Sequence, residues 1–277
     1  MSKCTAIVLG GGGSRGALQI GALRALLEAN IVPDLLVGTS IGAANATGLA
    51  LWGVDLVGLS ELECIWEQVS SGDMLDPRIS RLIFRMMIGQ PSNDSRKKVE
   101  NYFASIGITD EITFQMTPYA RLALISADLE SGQALIYGQN QDDCVLEGLL
   151  ASIAVPPWFM PLQKDGRTII DGGLVSNLPI EPALRMGATE IIALNLNDLT
   201  LIPRENLTPP QYFQKAHFAS CRRIIELETQ IAEMQGISVR CIDFQGLAKT
   251  PMWDFSDYQR LKEAGYEKAK MSIADWS

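Results

Sequence analysis

Short, continuous apolar runs separated by stretches of helical periodicity constrain this chain most. CTAIVLG (residues 4–10) and DLLVGT (residues 34–39) are two such runs, and a helical pattern fills residues 15–30 between them. TEIIALNL and ISVRCIDF are similar runs later in the chain. Near-continuous apolar strands that alternate with helices are typical of a mostly parallel sheet with both faces covered. We therefore predict an α/β fold with a mostly parallel central sheet and helices on both faces.

The rest of the pattern adds a hairpin and further helices to this sheet. Residues 119–138, YARLALISADLESGQALIYG, have the form of two strands joined by a turn at residues 130–132. Helical periodicity runs from residue 54 to residue 105, with breaks at Pro77 and Pro91. Two late helices are predicted at about residues 210–235 and 256–271.

Neither a repeat nor a long linker divides the 277 residues. A chain of this length can bury the core of one large domain. We predict a single domain over residues 1–277. Its motif-bearing core covers about residues 5–200, and a helical C-terminal portion covers about residues 205–277.

Composition excludes several classes of function. The net charge of −9 argues against a nucleic-acid partner. Five scattered cysteines without a C-x-x-C pattern, and a single histidine, argue against a disulfide framework and a metal centre. The apolar stretch at the start is too short for a secretory signal. We expect a cytoplasmic protein that needs no metal and no cofactor.

Four consecutive glycines follow the first predicted strand and precede the first predicted helix. Gly11, Gly13 and Gly16 fit the dinucleotide fingerprint G-x-G-x-x-G. That fingerprint also needs an acidic residue at the end of the second strand, where this chain has VGTSIG. A phosphate-binding P-loop is excluded because Ala17 and Leu18 follow Gly16. A nucleotide-dependent oxidoreductase therefore remains an alternative, although the acidic residue that would support it is missing from the end of the second strand.

The second predicted strand ends in GTSIG. Gly38, Ser40 and Gly42 match the nucleophile elbow G-x-S-x-G, in which a sharp strand-to-helix turn exposes the serine and the glycines make room for the backbone. A serine that only caps the helix is the alternative. In a parallel sheet the glycine loop and Ser40 come to the same edge, side by side. The N–H groups of the loop could then form an oxyanion hole, with Arg15 in support.

A nucleophilic serine needs a base, and the sequence offers two. His217 could complete a Ser40, Asp171 and His217 triad. However, it adjoins an apolar stripe at helical spacing, which favours a structural place on a helix face. The stripe consists of Phe213, Ala216, Ser220, Ile224, Leu227, Ile231 and Met234.

Asp171 is the other candidate base. It follows a short apolar strand and precedes Gly172 and Gly173, a position that predicts an exposed carboxylate at a sheet edge. A plain Asp-Gly hairpin turn is the alternative. An ordinary aspartate is too acidic to act as a base near neutral pH, so partial burial would have to raise its pKa.

Together these stretches resemble the patatin-like phospholipases. The glycine-rich oxyanion signature of that family, G-G-G-x-R-G, corresponds to residues 11–16, and the nucleophile elbow corresponds to residues 38–42. The family's D-G-G element corresponds to residues 171–173, and its proline-containing segment corresponds to SIAVPPWFMP at residues 152–161. The motifs occur in the family's order within residues 5–200.

The resemblance implies a catalytic dyad of Ser40 and Asp171 without a histidine, in a three-layer fold. It also implies hydrolysis of acyl esters, typically of lipids, with an oxyanion hole at Gly11, Gly12 and Gly13. We therefore expect a serine acyl hydrolase of the phospholipase A or lysophospholipase kind, acting on a lipid or another acyl ester. A non-catalytic regulator that retains the fold is a further alternative.

Two stretches indicate how the protein could contact a lipid. Residues 74–90 contain LDPRISRLIFRMMIG, a basic amphipathic segment that fits a lid or a peripheral contact with a membrane. A helix packed on the sheet with solvated arginines is the alternative. Trp158 and Phe159 fit either an acyl pocket or an anchor in the core.

Overall fold

The computed structural model describes residues 3–71, 93–156, 159–203, 205–248 and 251–276. Eight strands occur in this part of the chain: β1 (Thr5–Leu9), β2 (Leu35–Thr39), β3 (Arg121–Asp128), β4 (Ala134–Tyr137), β5 (Leu162–Lys164), β6 (Arg167–Asp171), β7 (Glu190–Asn195) and β8 (Ser238–Asp243). They form one sheet in the order β5-β6-β3-β2-β1-β7-β8, and β4 pairs with β3 off this path.

Helices cover both faces of this sheet. They are α1 (Gly16–Glu28), α2 (Ile41–Trp52), α3 (Leu56–Ser71), α4 (Asn93–Ser105), α5 (Val145–Ser152), α6 (Ile180–Arg185), α7 (Pro209–Met234) and α8 (Tyr258–Ala274). Alternate residues of a strand point to opposite faces. Accordingly, Ile7 and Leu9 of β1 join the apolar cluster of α1, α2, α5 and α8, whereas Ala6 and Val8 join that of α6 and α7.

The strand pairing confirms the predicted fold class. β1 lies between β2 and β7, and all of its pairs are parallel. The pairs β2–β3 and β7–β8 are parallel too. Each of the four apolar runs is therefore a strand of one parallel core, and the loops that follow β1 and β2 meet at the same sheet edge.

Antiparallel strands lie on the other side of β3. β3 and β4 form the predicted hairpin, whose turn contains Gly132 at a φ of 68°. β6 pairs with β3, and β5 pairs with β6. Asp165 and Gly166, both with positive φ, connect β5 to β6. The Asp-Gly hairpin turn of this region is therefore at residue 165 and not at Asp171.

Helix α7 turns a different face to the protein from the one that its apolar stripe predicts. Phe213 is 79% exposed and Met234 is 87% exposed, and Leu227 and Ile231 are also exposed. The buried residues of α7 are Phe218, Cys221, Glu228 and Ala232. Most of the large side chains of the stripe therefore lie outside the buried face of α7.

Some predictions fall on residues that are not described. The amphipathic segment at residues 74–90 and the side chain of Trp158 lie outside the described ranges. Among the helices of those ranges, none combines the length and the apolar character needed to cross a membrane. Residues 35–54, which include no charged residue, contain β2, a turn and α2.

Candidate active site

Ser40 occupies a sharp turn between β2 and α2. Its backbone has a φ of 57° and a ψ of −125°, in a region that residues with a β-carbon seldom adopt. Such a conformation costs about 1–3 kcal/mol and persists only where the surroundings enforce it. The turn places the half-buried Ser40 side chain at the N-terminus of α2, as a nucleophile elbow requires.

The glycines on either side let the elbow form. A β-carbon on Gly42 would overlap the carbonyl oxygen of Leu9, because the first turn of α2 crosses closely over the end of β1. A β-carbon on Gly38 would overlap the backbone of Gly42. The flanking glycines are therefore required by close backbone approach.

A serine that the sequence analysis did not single out holds the elbow in place. The N–H of Ser40 donates to Oγ of Ser152 at 2.9 Å, and the Ser152 hydroxyl donates to the Ile125 carbonyl at 2.6 Å. Ser152 is fully buried at the end of α5. Because this bond engages the Ser40 N–H, that group is not free to stabilise an oxyanion.

Asp171 reaches the same place from the opposite side of β3. Thr39 pairs with Ile125, and Asp171 pairs with the next residue, Ser126. The end of β6 therefore lies level with the elbow. A β-carbon on Gly172 would overlap the Ile125 carbonyl, so the turn after Asp171 also depends on glycine.

The Asp171 carboxyl group is buried, so its predicted exposure is wrong. Asp171 is only 7% exposed to solvent. Burial raises its pKa to about 6, while the Ser40 hydroxyl and the Gly173 N–H act in the opposite direction. The Gly173 N–H donates to Oδ1 at 2.6 Å. The partial burial that a base near neutral pH requires is therefore present.

The second oxygen of this carboxyl group faces no fixed donor. Within the described residues, Oδ2 makes no hydrogen bond of ordinary length and angle, yet the Ser40 hydroxyl is near enough to lower the pKa. We interpret this as a close but poorly aligned contact. Catalytic hydrogen bonds are often loose before substrate binds.

The glycine loop lies beside Ser40, as the parallel strands predict. A β-carbon on Gly11 would be 3.1 Å from Cβ of Ser40. The Gly11 N–H donates to the Asn177 carbonyl at 3.0 Å, and Nδ2 of Asn177 is 3.4 Å from the Gly11 carbonyl oxygen. Asn177 therefore holds the loop on both sides of Gly11, and it engages the Gly11 N–H.

Arg15 holds the peptide bond between Gly12 and Gly13 through the Gly12 carbonyl oxygen. Its Nε donates to the Gly12 carbonyl at 3.0 Å and its Nη1 to the Leu196 carbonyl at 2.8 Å. The C=O and N–H of a trans peptide point in opposite directions, so the Gly13 N–H points away from Arg15. In the described part of the chain, no residue accepts a hydrogen bond from the N–H of Gly12 or Gly13.

Arg15 is buried and does not face the open side of the loop. Burial lowers its pKa to about 10, and the Asp198 carboxylate opposes that effect. At neutral pH the guanidinium therefore remains charged. Its Cζ atom lies 5.5 Å from the ring centre of Phe218. Arg15 can act on an oxyanion only through the peptide that it orients.

The turn that a nucleotide would need is occupied by the chain itself. The Ser14 N–H donates to the Met252 carbonyl at 2.7 Å, and the Ser14 hydroxyl donates to the Pro251 carbonyl at 3.0 Å. A dinucleotide places its pyrophosphate at the N–H groups of this turn and helix. This contact counts against the nucleotide alternative.

His217 packs behind the Asp171 motif. Its Nε2 is 3.6 Å from Sγ of Cys221, which donates to the Gly173 carbonyl at 3.4 Å. Although the residue is largely exposed, partial enclosure of the ring lowers its pKa. Among the described residues, no hydrogen bond connects His217 with Ser40 or Asp171. A triad is therefore not assembled in this structure.

An apolar cleft lies next to Asp171. The Asp171 N–H donates to the Ala154 carbonyl at 2.9 Å, and Ala154 also lines the cleft. Its other lining residues are Arg96, Val99, Leu150, Ile153, Phe159, Met160 and Leu162. Phe159 therefore contributes to an apolar cleft near the candidate base.

Known proteins resemble this chain in sequence. The signature of the patatin-like phospholipase family matches residues 7–184. Patatin-like phospholipase domain-containing proteins 7 and 6 of Mus musculus are 32% and 31% identical over 98% of this chain, which covers 21% of each relative. The chain thus spans about a fifth of the length of these relatives.

A solved structure supports the same assignment at the level of the fold. VipD from Legionella pneumophila has a TM-score of 0.50 and 14% identity, over 99% of this chain and 67% of that one. Given the glycine loop, the elbow, the Asp-Gly-Gly turn and these similarities, the chain belongs to the patatin-like phospholipase family.

Proposed function

We propose that this chain is a serine acyl hydrolase that cleaves carboxylic esters of lipids with Ser40 as nucleophile and Asp171 as base. One observation carries the proposal. A serine on a strained elbow lies beside a buried carboxyl group whose pKa is raised to about 6. Such a group is ionised at neutral pH and is still basic enough to accept a proton.

The first half of the reaction forms an acyl-enzyme. Asp171 takes the proton of the Ser40 hydroxyl through its free oxygen Oδ2 while the serine oxygen attacks the ester carbonyl. The negative charge develops on the carbonyl oxygen, where the N–H groups of Gly12 and Gly13 can donate hydrogen bonds. The tetrahedral intermediate then collapses, and the proton on Asp171 passes to the leaving alcohol.

The second half releases the acid. Water enters the place of the alcohol and gives a proton to Asp171 as its oxygen attacks the acyl carbon. The same N–H groups stabilise the second oxyanion. When that intermediate collapses, Ser40 regains its proton from Asp171 and the fatty acid leaves. One carboxyl group thus serves both halves.

Lipid esters are the substrate class that fits best. The relatives are named as phospholipases, and most of the side chains that line the small cleft next to the Asp171 backbone are apolar. Leu174, three residues after Asp171, is 46% exposed. We propose a phospholipase A or lysophospholipase activity with peripheral contact to lipid surfaces. The five free cysteines fit a cytoplasmic setting.

Labelling with a fluorophosphonate probe tests the nucleophile. We expect the parent protein to be labelled at Ser40 and to release fatty acids from a mixture of phospholipids and lysophospholipids analysed by mass spectrometry. Ser40→Ala should not be labelled, and its hydrolysis should fall at least about a thousandfold.

Two variants serve as controls. Ser220→Ala removes an exposed serine of α7 and should be labelled like the parent. His217→Gln should keep activity within a few-fold, whereas a loss of several orders of magnitude would restore the triad. Labelling of Ser40→Ala at the parent rate would refute the proposal.

A further inference from the structure

A buried carboxyl group on α7 lies behind both catalytic segments. Oε1 of Glu228 accepts a hydrogen bond from the Ser176 hydroxyl at 2.8 Å, and Oε2 accepts one from the Glu181 N–H at 2.9 Å. Glu228 is 7% exposed, and burial raises its pKa to about 7. The proposed mechanism does not use this group.

Ser176 connects Glu228 with the nucleophile and with the base. Its N–H donates to the Gly172 carbonyl at 2.9 Å, and its carbonyl accepts from the Thr39 hydroxyl at 2.9 Å. Thr39 directly precedes Ser40, and Gly172 directly follows Asp171. One buried residue therefore contacts the neighbours of both catalytic residues, and Glu228 fixes its side chain.

The surroundings of Glu228 make this carboxyl group hard to explain by packing alone. Its helix neighbours Ile225 and Ala232 belong to the apolar cluster on that face of the sheet. A buried carboxyl group is costly, and an apolar residue of similar size often stabilises a fold better. Buried titratable groups with specific partners are enriched at functional sites.

We propose that Glu228 is a positioning residue of the acyl-transfer site, which holds Ser40 and Asp171 at their working separation through Ser176. The inference rests on the proposed function. Glu228 does not contact the reacting atoms. Glu228 accepts a hydrogen bond from the Ser176 hydroxyl. The Ser176 carbonyl accepts one from the Thr39 hydroxyl, and the Ser176 N–H donates one to the Gly172 carbonyl. These bonds hold the backbones next to Ser40 and Asp171 together. Displacements of about 1 Å can reduce a reaction rate about a hundredfold.

Glu228→Gln tests the inference because it keeps the size of the side chain and replaces one acceptor oxygen by an amide donor. With p-nitrophenyl butyrate as substrate, we expect kcat to fall about ten- to a hundredfold and KM to stay within about twofold. The amide leaves one buried donor, either the Glu181 N–H or the Ser176 hydroxyl, without an acceptor, so the melting temperature should fall. If the role of Glu228 is merely structural, the folded variant should keep the parent kcat when it is assayed well below that temperature.

Ser176→Ala and Glu233→Gln complete the design. Ser176→Ala should lower kcat by a similar factor, and the double variant should be no worse than either single one, because both break the same connection. Glu233 is exposed on the same helix, and Glu233→Gln should keep the parent kcat.

The outcomes separate the two proposals. If the parent protein is labelled at Ser40 and Glu228→Gln keeps kcat within about twofold, the positioning role is wrong and the hydrolase stands. If Glu228→Gln is unstable, an unchanged kcat of Ser176→Ala overturns the role instead. A parent protein without labelling at Ser40 would overturn the hydrolase itself.

Discussion

At the scale of single residues, Asp171 has to meet two opposed requirements. A general base must ionise near the working pH, whereas burial disfavours the charge. Burial is the largest influence on its pKa, and the Ser40 hydroxyl and the Gly173 N–H limit the rise to about 6. The property that makes Asp171 a useful base therefore has a cost in stability.

Asp171→Asn should reveal that cost as a pH-dependent gain in stability. The folded pKa of about 6 lies above the reference value of 3.8, so the carboxyl group favours the fold when protonated. This contribution is present below about pH 4 and is lost as the pH rises through 6. Relative to the variant, the parent should lose about 3 kcal/mol of unfolding free energy between pH 4 and pH 8.

Urea unfolding of both proteins at several pH values measures this difference. Asp110 is exposed, and Asp110→Asn serves as the control for replacing a surface carboxylate by an amide. Parallel stability curves for the parent and Asp171→Asn would contradict the burial of an ionised Asp171.

The residues that could be predicted from sequence are those with local signatures. Ser40, Asp171 and the glycine loop each stand in a short motif whose spacing is fixed by one turn. Ser152 and Glu228 have no such signature, because Ser152 bonds Ser40 across 112 positions and Glu228 bonds Ser176 across 52. Only the folded chain brings these pairs together.

At the scale of elements, helical periodicity predicts a helix better than it predicts the neighbours of that helix. The expected helix at residues 210–235 is α7 at Pro209–Met234. The apolar stripe does not form the buried face, which contains Cys221, Ala232 and Glu228, and Glu228 accepts hydrogen bonds from Ser176 and from the first turn of α6. Periodicity contains no information about those partners.

For a similar reason, the sequence pattern does not predict the short strand β5. Its sequence, Leu-Gln-Lys, is mostly polar and lies at the edge of the sheet. The following Asp165-Gly166 pair is a typical hairpin signal and could have revealed it.

Helices α1 and α8 provide a prediction at this scale. A β-carbon on Gly265 of α8 would overlap the Leu18 carbonyl, and one on Gly21 of α1 would overlap the Lys262 carbonyl. The two helices therefore touch through their backbones. Gly265→Ala should lower the free energy of unfolding by about 1–3 kcal/mol, although alanine alone favours a helix by up to about 1 kcal/mol.

Glu263→Ala is the matched control for this contact. Glu263 is an exposed residue of the same helix, so its replacement should change the free energy by no more than about 0.5 kcal/mol. Equilibrium unfolding in urea gives both values. A Gly265→Ala variant more stable than the parent would show that α1 and α8 do not pack so closely.

At the scale of the whole molecule, the sheet joins regions that differ in how well their sequence indicates function. The motifs end before residue 200, whereas β8 and α8 come from the last part of the chain. β8 extends the sheet beside β7, and α8 packs on the helix that starts at the glycine loop. Sequence predicted β8 from its apolar run, but the strand order depends on contacts that no local pattern records.

We propose that residues 1–277 unfold as one domain, and Ile242 of β8 offers a test. Ile242 is fully buried in the cluster that also contains Leu9 and Leu18. Ile242→Ala should lower the free energy of unfolding by about 2–5 kcal/mol, and Ile242→Val by about 0.5–1.5 kcal/mol. If the chain is one cooperative unit, the urea midpoint from far-UV circular dichroism and that from fluorophosphonate labelling of Ser40 should coincide and shift together. A shift in the dichroism curve alone would show that the C-terminal portion unfolds separately from the site, since labelling reports only on the segments around Ser40.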